Sequence, residues 1–259
     1  MLEQKHWGDR MNTRIFVIFL ALLGFCSLAS AKTIYVPDDY AKIQWAVDNA
    51  TAWDTIIVRD GTYIENILVN KSLTIMSENG SANCIVQANN SNDHVFNITA
   101  DNVTIKGFTV KNATGTEKAG IYIYNSNNCT IENVNASNNY LGIYLFNSNN
   151  NTIANNTVSN NNEGMRLKSS SNNSIINNTV ITNNWNGIYF KDSDNNTIEN
   201  NTISSNTNHG IRFDSSNNNT IINNTILSND YGIILEFSDY NKIINNTILS
   251  LTTIMEHPS

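Results

Sequence analysis

Apolar and polar residues repeat along most of the chain with a period of 22 to 23 residues. A glycine marks each unit, and an isoleucine always follows it eleven residues later. The glycines are Gly120, Gly142, Gly164, Gly187, Gly210 and Gly232, and the isoleucines are Ile131, Ile153, Ile175, Ile198, Ile221 and Ile243. Because this interval never varies, the extra residue of the longer units lies between the isoleucine and the next glycine. Insertions are therefore confined to one corner of the repeating structure.

Each unit predicts three short strands separated by turns. Alternating apolar residues follow the glycine, as in residues 142–146, and then give way to Asn and Ser, which is typical of a strand that ends in a turn. Two shorter strands follow, for example around Ile153 and Val158. No unit contains ten residues of helical periodicity, so parallel strands must be joined by turns alone. Since the Leu-x-x-Leu-x-Leu frame of leucine-rich repeats is absent, the sequence predicts an all-β fold, a parallel β-helix with three strands per coil.

Stacked coils place equivalent residues about 4.8 Å apart in columns, so each side-chain type meets its own kind. Four columns are apolar and predict the core: Ile121, Ile143, Met165, Ile188, Ile211 and Ile233; Ile123, Leu145, Leu167, Phe190, Phe213 and Leu235; the repeated isoleucines; and Val158, Val180, Ile203, Ile226 and Ile248. Two polar columns are expected to form hydrogen-bonded ladders along the axis: Asn133, Asn155, Asn177, Asn200, Asn223 and Asn245, and Ser126, Ser148, Ser170, Ser193, Ser216 and Ser238.

The two ends of the repeat region differ from its middle. Residues 32–118 predict a cap and irregular coils, in which a short amphipathic helix at residues 43–50 covers the first coil. Residues 119–250 predict the regular coils. The pattern stops near Ser250, and residues 251–259 are expected to be a short tail or a truncated end. Either further repeats follow, or the open end pairs with a partner, for example by end-to-end self-association.

Residues 1–31 predict upstream residues followed by a secretory signal peptide. Arg14 precedes an apolar run at 15–28, and Ala29-Ser30-Ala31 supplies the small residues of a cleavage site. About 14 apolar residues fall short of the ~20 that span a bilayer, so no transmembrane segment is expected after cleavage. The start codon is either Met1 or Met11. We expect a secreted, cell-surface or periplasmic protein, in which Cys84 and Cys129 either pair or stay as buried free thiols.

Composition agrees with a repetitive exported protein. Asn accounts for 50 of the 259 residues, charged residues for only 14%, and the formal net charge is −7. Apolar residues spread along the whole chain exclude an ordinary disordered tail. The negative charge makes nucleic acid a poor partner.

The strand after each glycine presents a distinctive outward face, because alternate residues point to opposite sides of a sheet. The outward columns read Tyr122, Tyr144, Arg166, Tyr189, Arg212 and Ile234, and then Tyr124, Phe146, Lys168, Lys191, Asp214 and Glu236. Exposed rings beside hydrogen-bonding groups suit a polysaccharide. The candidate binding residues are Tyr122, Tyr144, Tyr189, Tyr124, Phe146, Arg166, Arg212 and Lys191. Alternatively, the rings only stabilise the sheet by stacking on neighbouring coils.

The same face contains candidate catalytic groups. Asp214 and Glu236 occupy one column on adjacent coils, near the ~5 to 5.5 Å carboxyl separation of retaining glycosidases, and Arg212 is a candidate base or charge neutraliser. Stacking gives that separation to any two acids in a column, so the spacing alone is weak evidence of catalysis. The histidines and methionines are scattered, so neither a metal site nor a cofactor is expected.

Asn-x-Ser/Thr sequons are numerous, and each is a potential glycan site in an exported protein. Asn70 and Asn79, in the irregular region, are the preferred candidates. The sequons at Asn155, Asn177 and their equivalents fall on the expected ladder column, where an inward-facing Asn cannot carry a sugar.

Three segments at the start of the mature chain carry a family resemblance: residues 33–40 (Thr-Ile-Tyr-Val-Pro-Asp-Asp-Tyr), residues 43–47 (Ile-Gln-x-Ala-Val) and residues 54–63 (Asp-Thr-Ile-Ile-Val-x-Asp-Gly-Thr-Tyr). With the Asn-Asn-Thr-Ile coils, the chain resembles the NosD-type, or carbohydrate-binding and sugar-hydrolysis (CASH), family of pectate-lyase-like right-handed parallel β-helices. The resemblance implies extracellular placement and contact with polysaccharide. A copper role attached to the NosD name does not carry over, because no cluster of ligands has suitable spacing. The acidic motifs of polygalacturonases and alginate epimerases are also absent.

The sequence leaves three functions open. The first is an exported, non-catalytic scaffold that binds polysaccharide on its aromatic and basic strand face. The second is a polysaccharide lyase or glycoside hydrolase. The third is a passive structural surface repeat without a ligand.

Overall fold

The strands of the protein form three parallel sheets wound into a solenoid. The structure is a computed structural model and describes residues 31–257. Within these residues it contains one helix, α1 (Ile43–Asn49), and strands β1 to β28, numbered in chain order. From β2 onward, successive strands enter sheets A, B and C in turn, so three strands complete one coil. The predicted signal peptide, apart from Ala31, lies outside the described residues.

The strand bounds follow the predicted repeat. Sheet A contains β1 (Thr33–Val36), β2 (Thr55–Val58), β5 (Thr74–Ser77), β8 (Thr104–Lys106), β11 (Thr130–Glu132), β14 (Thr152–Ala154), β17 (Ser174–Ile176), β20 (Thr197–Glu199), β23 (Thr220–Ile222) and β26 (Lys242–Ile244). Sheet B contains β3 (Gly61–Ile64), β6 (Cys84–Gln87), β9 (Thr109–Lys111), β12 (Asn135–Ser137), β15 (Thr157–Ser159), β18 (Thr179–Ile181), β21 (Thr202–Ser204), β24 (Thr225–Leu227) and β27 (Thr247–Leu249). Sheet C contains β4 (Ile67–Val69), β7 (Phe96–Ile98), β10 (Ala119–Tyr124), β13 (Leu141–Phe146), β16 (Glu163–Lys168), β19 (Ile188–Lys191), β22 (His209–Asp214), β25 (Tyr231–Glu236) and β28 (Thr252–His257).

The coils stack in the predicted register. Ile153 pairs with Ile131 on one side and with Ile175 on the other, and this alignment continues to Ile243. The four predicted apolar columns line the interior and are buried, except that Ile243 and Ile248 are half-buried. The fold is therefore the predicted right-handed parallel β-helix. At about 1.5 to 3 kcal/mol for each large buried side chain, these columns hold each coil on its neighbours.

The expected asparagine ladder was assigned to the wrong residue of each Asn-Asn pair. Asn155 and Asn177 are exposed and have φ values of 58° and 56°, whereas Asn156 and Asn178 are buried. The left-handed conformation of the first Asn turns the chain at the corner, so its side chain points outward and the next residue points inward. Asn tolerates this conformation better than other non-glycine residues.

Three columns of Asn and one of Ser form the ladders, two more Asn columns than the sequence predicted. Their members are buried, except that Asn241 and Asn246 in the last coil are half-buried. The Asn columns are Asn151, Asn173, Asn196, Asn219 and Asn241; Asn156, Asn178, Asn201, Asn224 and Asn246; and Asn139, Asn161, Asn183, Asn206 and Asn229. The predicted serine ladder is confirmed, because the backbone N–H of each Ser donates to the Oγ of the Ser in the next coil.

Each ladder residue joins three coils. Oδ1 of Asn178 accepts hydrogen bonds from the backbone N–H of Asn156 (2.9 Å) and from its Nδ2 (3.0 Å). Nδ2 of Asn178 donates to the carbonyl of Ile153 (2.8 Å) and to Oδ1 of Asn201 (3.0 Å). The ladders therefore satisfy backbone groups at the corners, where the sheet hydrogen bonds are interrupted.

The glycines that open the units are required by space and not by backbone conformation. A Cβ on Gly187 would lie 2.6 Å from the carbonyl oxygen of Gly210 and 2.8 Å from Nδ2 of the ladder residue Asn206. A side chain at this position would therefore push adjacent coils apart.

Helix α1 covers the first coil, as predicted, and is held at both ends by the following coil. Ile43, Ala46 and Val47 are its buried face. The Glu65 carboxylate accepts the backbone N–H groups of Ile43 and Gln44, both at 3.0 Å, while Nζ of Lys71 donates to three carbonyls at the helix C-terminus. A negative group at the N-terminus and a positive group at the C-terminus both match the helix dipole.

The segment after Ser250 does not form a separate tail, which corrects the expected end of the repeat. Strand β28 pairs in parallel with β25 and adds a ninth strand to sheet C. Thr253 stands in the register of the opening glycine, which is why the glycine pattern missed this strand.

Cys84 and Cys129 are free and buried, and burial raises the pKa of the Cys84 thiol to about 12 and that of Cys129 to about 11. Within residues 31–257, no helix is long and apolar enough to cross a membrane.

We predict that Asn178→Ala destabilises the solenoid far more than Asn177→Gly. The first change leaves the Asn156 N–H and the Ile153 carbonyl unpaired, which costs about 1 to 3 kcal/mol for each buried group. The second keeps a residue that adopts the left-handed conformation and should change stability by less than about 0.5 kcal/mol. Urea denaturation of both variants measures the difference, and equal midpoints would contradict the assignment of the ladder.

We also predict that Glu65→Ala loosens helix α1 by about 1 to 2 kcal/mol, because two N–H groups lose their capping carboxylate. Hydrogen exchange of the amides at 43–49 should become faster. Glu78→Ala is the control, since among residues 31–257 the Glu78 side chain pairs with Arg59 alone, at the surface, and should matter little. Unchanged exchange in the Glu65 variant would show that packing alone holds the helix.

Candidate functional site

The outward side chains of sheet C form the candidate site, and we call this surface the sheet C face. It consists of the two outward columns of β10 to β25 together with Glu163. The predicted alternation is confirmed, although the first column is less exposed than a free surface would be. Tyr144 and Ile234 are only 7% and 2% exposed, whereas Tyr124 is 38% exposed. Tyr140, at the corner that leads into sheet C, packs against the cluster that contains Tyr144.

A cleft of about 400 Å³ opens on this face between the coils that contain β13 and β22. Its lining residues are Tyr140, Asn162, Glu163, Arg166, Trp185, Asn186, Tyr189 and Arg212. Trp185 is 48% exposed and lies between the ladder residue Asn183 and Gly187. This interval has one residue more than its equivalent, Asn161 to Gly164, so the extra residue of a 23-residue unit builds the wall of the cleft.

Arg166 is held at the centre of the cleft by two carboxylates. Its Nε donates to Oε2 of Glu163 at 2.7 Å, and its Nη1 lies 3.1 Å from Oε1 of Glu117. Oε1 of Glu163 accepts from Nδ2 of Asn186 at 3.0 Å, so this buried carboxylate is fully engaged. The guanidinium also lies over the rings of Tyr144 and Tyr189, at 5.7 and 5.9 Å from their centroids. Arg166 is therefore a fixed, charge-compensated part of the wall.

The lower part of the face repeats this arrangement. Arg212 lies 5.2 Å from the Tyr189 centroid, and its Nη2 is 2.5 Å from Oε2 of Glu236. The Tyr189 hydroxyl donates to Oδ2 of Asp214 at 3.1 Å, and Nζ of Lys191 lies 3.9 Å from the same oxygen. Burial, followed by the Asp214 carboxylate, raises the pKa of Tyr189 to about 12, so the phenol stays protonated.

The structure brings the three candidate catalytic residues together but gives each a structural partner. Asp214 and Glu236 pair in register on adjacent strands, as predicted. Glu236 is bound by Arg212, and Asp214 by Tyr189 and Lys191. The arginine that would act as base or charge neutraliser therefore already neutralises a carboxylate.

The upper part of the face is a continuous aromatic surface. The rings of Tyr122 and Tyr144 are 5.0 Å apart, and those of Tyr124 and Phe146 are stacked at 5.9 Å. His94 stacks on Tyr122 at 4.2 Å and accepts the backbone N–H of Ala119 at Nδ1. Stacking between coils thus occurs as the alternative interpretation expected, and it leaves Tyr124 exposed at the rim.

The aromatic and basic columns lie where the sequence predicts them, but the other residues that complete the cleft were not predicted. Glu163 is the first residue of β16, whereas Tyr140, Trp185 and Asn186 come from the corner between sheets B and C. The confinement of the extra residue to this corner was the available signal. His209, at the same corner, is half-buried in β22, where its Nδ1 lies 2.6 Å from Oδ1 of Asn186.

The described residues do not fit a copper site. His94 and His209 lie five coils apart, which is roughly 24 Å at the rise of stacked strands. Met165 is buried in the core, and both cysteines are buried in different coils. Among the described side chains, no three or more His, Cys, Asp or Glu residues lie close enough to hold a metal ion.

Fold and surface together define a right-handed β-helix with an aromatic and charged cleft on one sheet. A family model described as "Periplasmic copper-binding protein (NosD)" matches residues 47–255, so the chain belongs to the NosD family. A curated relative, a "Cell surface glycoprotein" of Methanothermus fervidus, is 39% identical over 129 residues. The match covers 49% of this chain but only 21% of that protein.

Solved structures share the fold at low sequence identity. The A-module of mannuronan C-5 epimerase AlgE6 from Azotobacter vinelandii has a TM-score of 0.64 and 15% identity, over 82% of this chain and 73% of that chain. Pectate lyase Pel9A has a TM-score of 0.64 and 17% identity, over 90% of this chain and 78% of that chain. At these identities the likeness concerns the fold alone.

We predict that His94 and His209 stay neutral until the pH falls to about 4. Burial, followed by the nearby cations Lys118 and Arg212, lowers both pKa values to about 4 from the usual 6.5. Between pH 6.5 and 4 the unfolded chain binds protons that the folded chain does not, so stability should fall as the pH is lowered through this window. NMR titration of the imidazole C2 protons tests this, and midpoints near 6.5 would contradict it.

Proposed function

We propose that the protein is a non-catalytic β-helix scaffold located outside the cytoplasm, which binds neutral polysaccharide in the cleft of the sheet C face. The observation that supports this proposal most strongly is the exposed Trp185 ring. It lies beside a wall of aromatic rings and amides in which each arginine is paired with a carboxylate. Aromatic surface with a few fixed polar groups is the usual composition of a ligand cleft. A flat ring beside hydrogen-bonding groups suits the apolar face and the hydroxyls of a sugar.

Charge pairing favours a neutral ligand over an acidic one. The face and the adjoining Glu117 contain four cations, Arg166, Lys168, Lys191 and Arg212, and four carboxylates, Glu117, Glu163, Asp214 and Glu236. Both arginines contact carboxylates at 3.1 Å or less. A uronate that bound either arginine would have to displace such a partner and leave a part-buried carboxylate unpaired, which is unfavourable.

The shape of the face favours a chain-like ligand. Equivalent rings recur at the coil spacing along the solenoid axis, so one extended molecule would contact several coils. Trp185 would then serve as the anchor, because exposed Trp in a cleft typically dominates binding energy.

Three features support a location outside the cytoplasm. The predicted signal peptide at the N-terminus would direct export. The relative named "Cell surface glycoprotein" shares 39% identity over about half of this chain. The NosD family description, which includes the word periplasmic, points to the same side of the membrane.

The test compares neutral and acidic polysaccharides on the purified mature chain. We expect retention of a neutral β-glucan or mannan, weaker retention of alginate and polygalacturonate, and little salt dependence for the neutral ligands. Trp185→Ala should weaken neutral binding at least about tenfold, the equivalent of 1.4 kcal/mol. Trp45→Ala is the matched control, because Trp45 is equally exposed (49% against 48%) but lies on α1, away from the cleft.

Three results would contradict the proposal. Equal effects of the two tryptophan variants would show that the cleft is not the binding site. Preferred binding of alginate would show that the paired charges do not exclude an acidic ligand. New reducing or unsaturated ends that disappear in Asp214→Asn would establish a lyase or hydrolase.

A further inference from the structure

We propose that two columns of exposed asparagines at the edges of sheet A are N-glycosylation sites. The first column precedes the sheet A strands: Asn102, Asn128, Asn150, Asn172, Asn195 and Asn218. The second follows them: Asn155, Asn177, Asn200, Asn223 and Asn245. Every member is exposed and has Thr or Ser two residues later. The expectation that the repeat sequons face inward is therefore wrong. The ladder is formed by the residue that comes directly after the sequon Asn, such as Asn156 after Asn155.

The corner geometry presents these side chains uniformly. All eleven residues have φ between 53° and 59°, which turns the chain sharply at the start or end of sheet A. The middle residue of each sequon points inward, most often as a ladder Asn, so the corner is anchored from inside. The third residue begins a strand. Each sequon is thus a rigid, outward-facing unit repeated once per coil.

The side-chain amides of these columns are available for reaction. Among the described residues, Asn200 is the one member whose amide donates a hydrogen bond, to Glu199 at 3.3 Å. The ladder amides differ completely, because those of Asn156 and Asn178 each donate to two acceptors in neighbouring coils. A transferase that approached the folded solenoid would therefore reach the exposed sequon asparagines and not the ladder asparagines.

Three other sequons, at Asn79, Asn97 and Asn135, are less suitable. Asn97 and Asn135 lie within strands, and each has a buried Oδ1. The Asn79 amide is held by the Asp60 carboxylate at 3.1 and 3.2 Å, whereas Asn70 is exposed. The two columns therefore add eleven equivalent sites to Asn70, which stays a candidate.

The transfer step uses a lipid-linked oligosaccharide phosphate as the donor. Nδ2 of the asparagine attacks the anomeric carbon, and a C–N bond forms as the bond from that carbon to the phosphate oxygen breaks. The lipid phosphate leaves, and the amide nitrogen gives one proton to a base of the transferase. No oxidant or reductant is needed.

Stacking limits how many sites are filled. Neighbouring members of one column are about 4.8 Å apart, which is too close for two branched glycans to extend side by side. We therefore expect glycans on alternate coils in each column. They would cover sheet A from both edges and leave the cleft on sheet C open.

This inference rests on the export that belongs to the proposed function, so the experiment measures location and modification together. The chain is produced in its native host, the cells are fractionated, and the envelope-associated protein is mapped by glycopeptide mass spectrometry. Alternate occupancy places at least one glycan on the neighbours Asn155 and Asn177. The double variant Thr157→Ala/Thr179→Ala should lose that mass, and Thr157→Ser/Thr179→Ser should keep it, because serine preserves the sequon.

Each outcome decides the question. Glycans on the two columns, lost in the alanine and kept in the serine variant, support the inference. Envelope-associated protein without glycans on either column overturns it and leaves the polysaccharide-binding proposal intact. Protein confined to the cytoplasm overturns export and this inference together.

Discussion

Hydrogen bonding along the solenoid axis is the constraint on which the structure depends. A chain that turns three times per coil interrupts its sheet hydrogen bonds three times, and the interrupted backbone groups lie next to a dry core. The Asn ladders fill these gaps, because one short amide both accepts from the coil behind and donates to the coil ahead. This requirement explains why Asn makes up about a fifth of the chain and why the repeat length hardly varies.

The outer surface follows from the same stacking. Because every outward residue has an equivalent about 4.8 Å above and below, side chains interact mainly in columns. On the sheet C face, rings stack on guanidinium groups and each arginine meets a carboxylate on its own or a neighbouring coil. The result is a surface that is rich in aromatic area yet balanced in charge. One extra residue at the corner before β19 then adds Trp185 and opens a cleft.

Features that repeat with the period of the coil could be predicted from the sequence, whereas features that depend on the conformation of a single turn could not. The core columns, the serine ladder and the aromatic columns all follow from counting residues between equivalent positions. The identity of the ladder Asn cannot be counted in this way, because both members of an Asn-Asn pair repeat with the same period. Only the positive φ of the first Asn decides that the second one points inward. Trp185 was missed because the corner that it occupies varies in length and breaks the alignment. Glu163 was missed because it directly precedes the glycine, in register with Leu141, at a position that the predicted outward columns did not include.

Side-chain amide exchange, measured by NMR, tests the ladder account most directly. The account predicts that the Nδ2 protons of Asn156, Asn178 and Asn201 are protected nearly to the level of global unfolding. Those of the adjacent Asn155 and Asn177 should exchange as fast as in a free peptide. Similar rates for both sets, or protection of the first Asn of each pair, would contradict it.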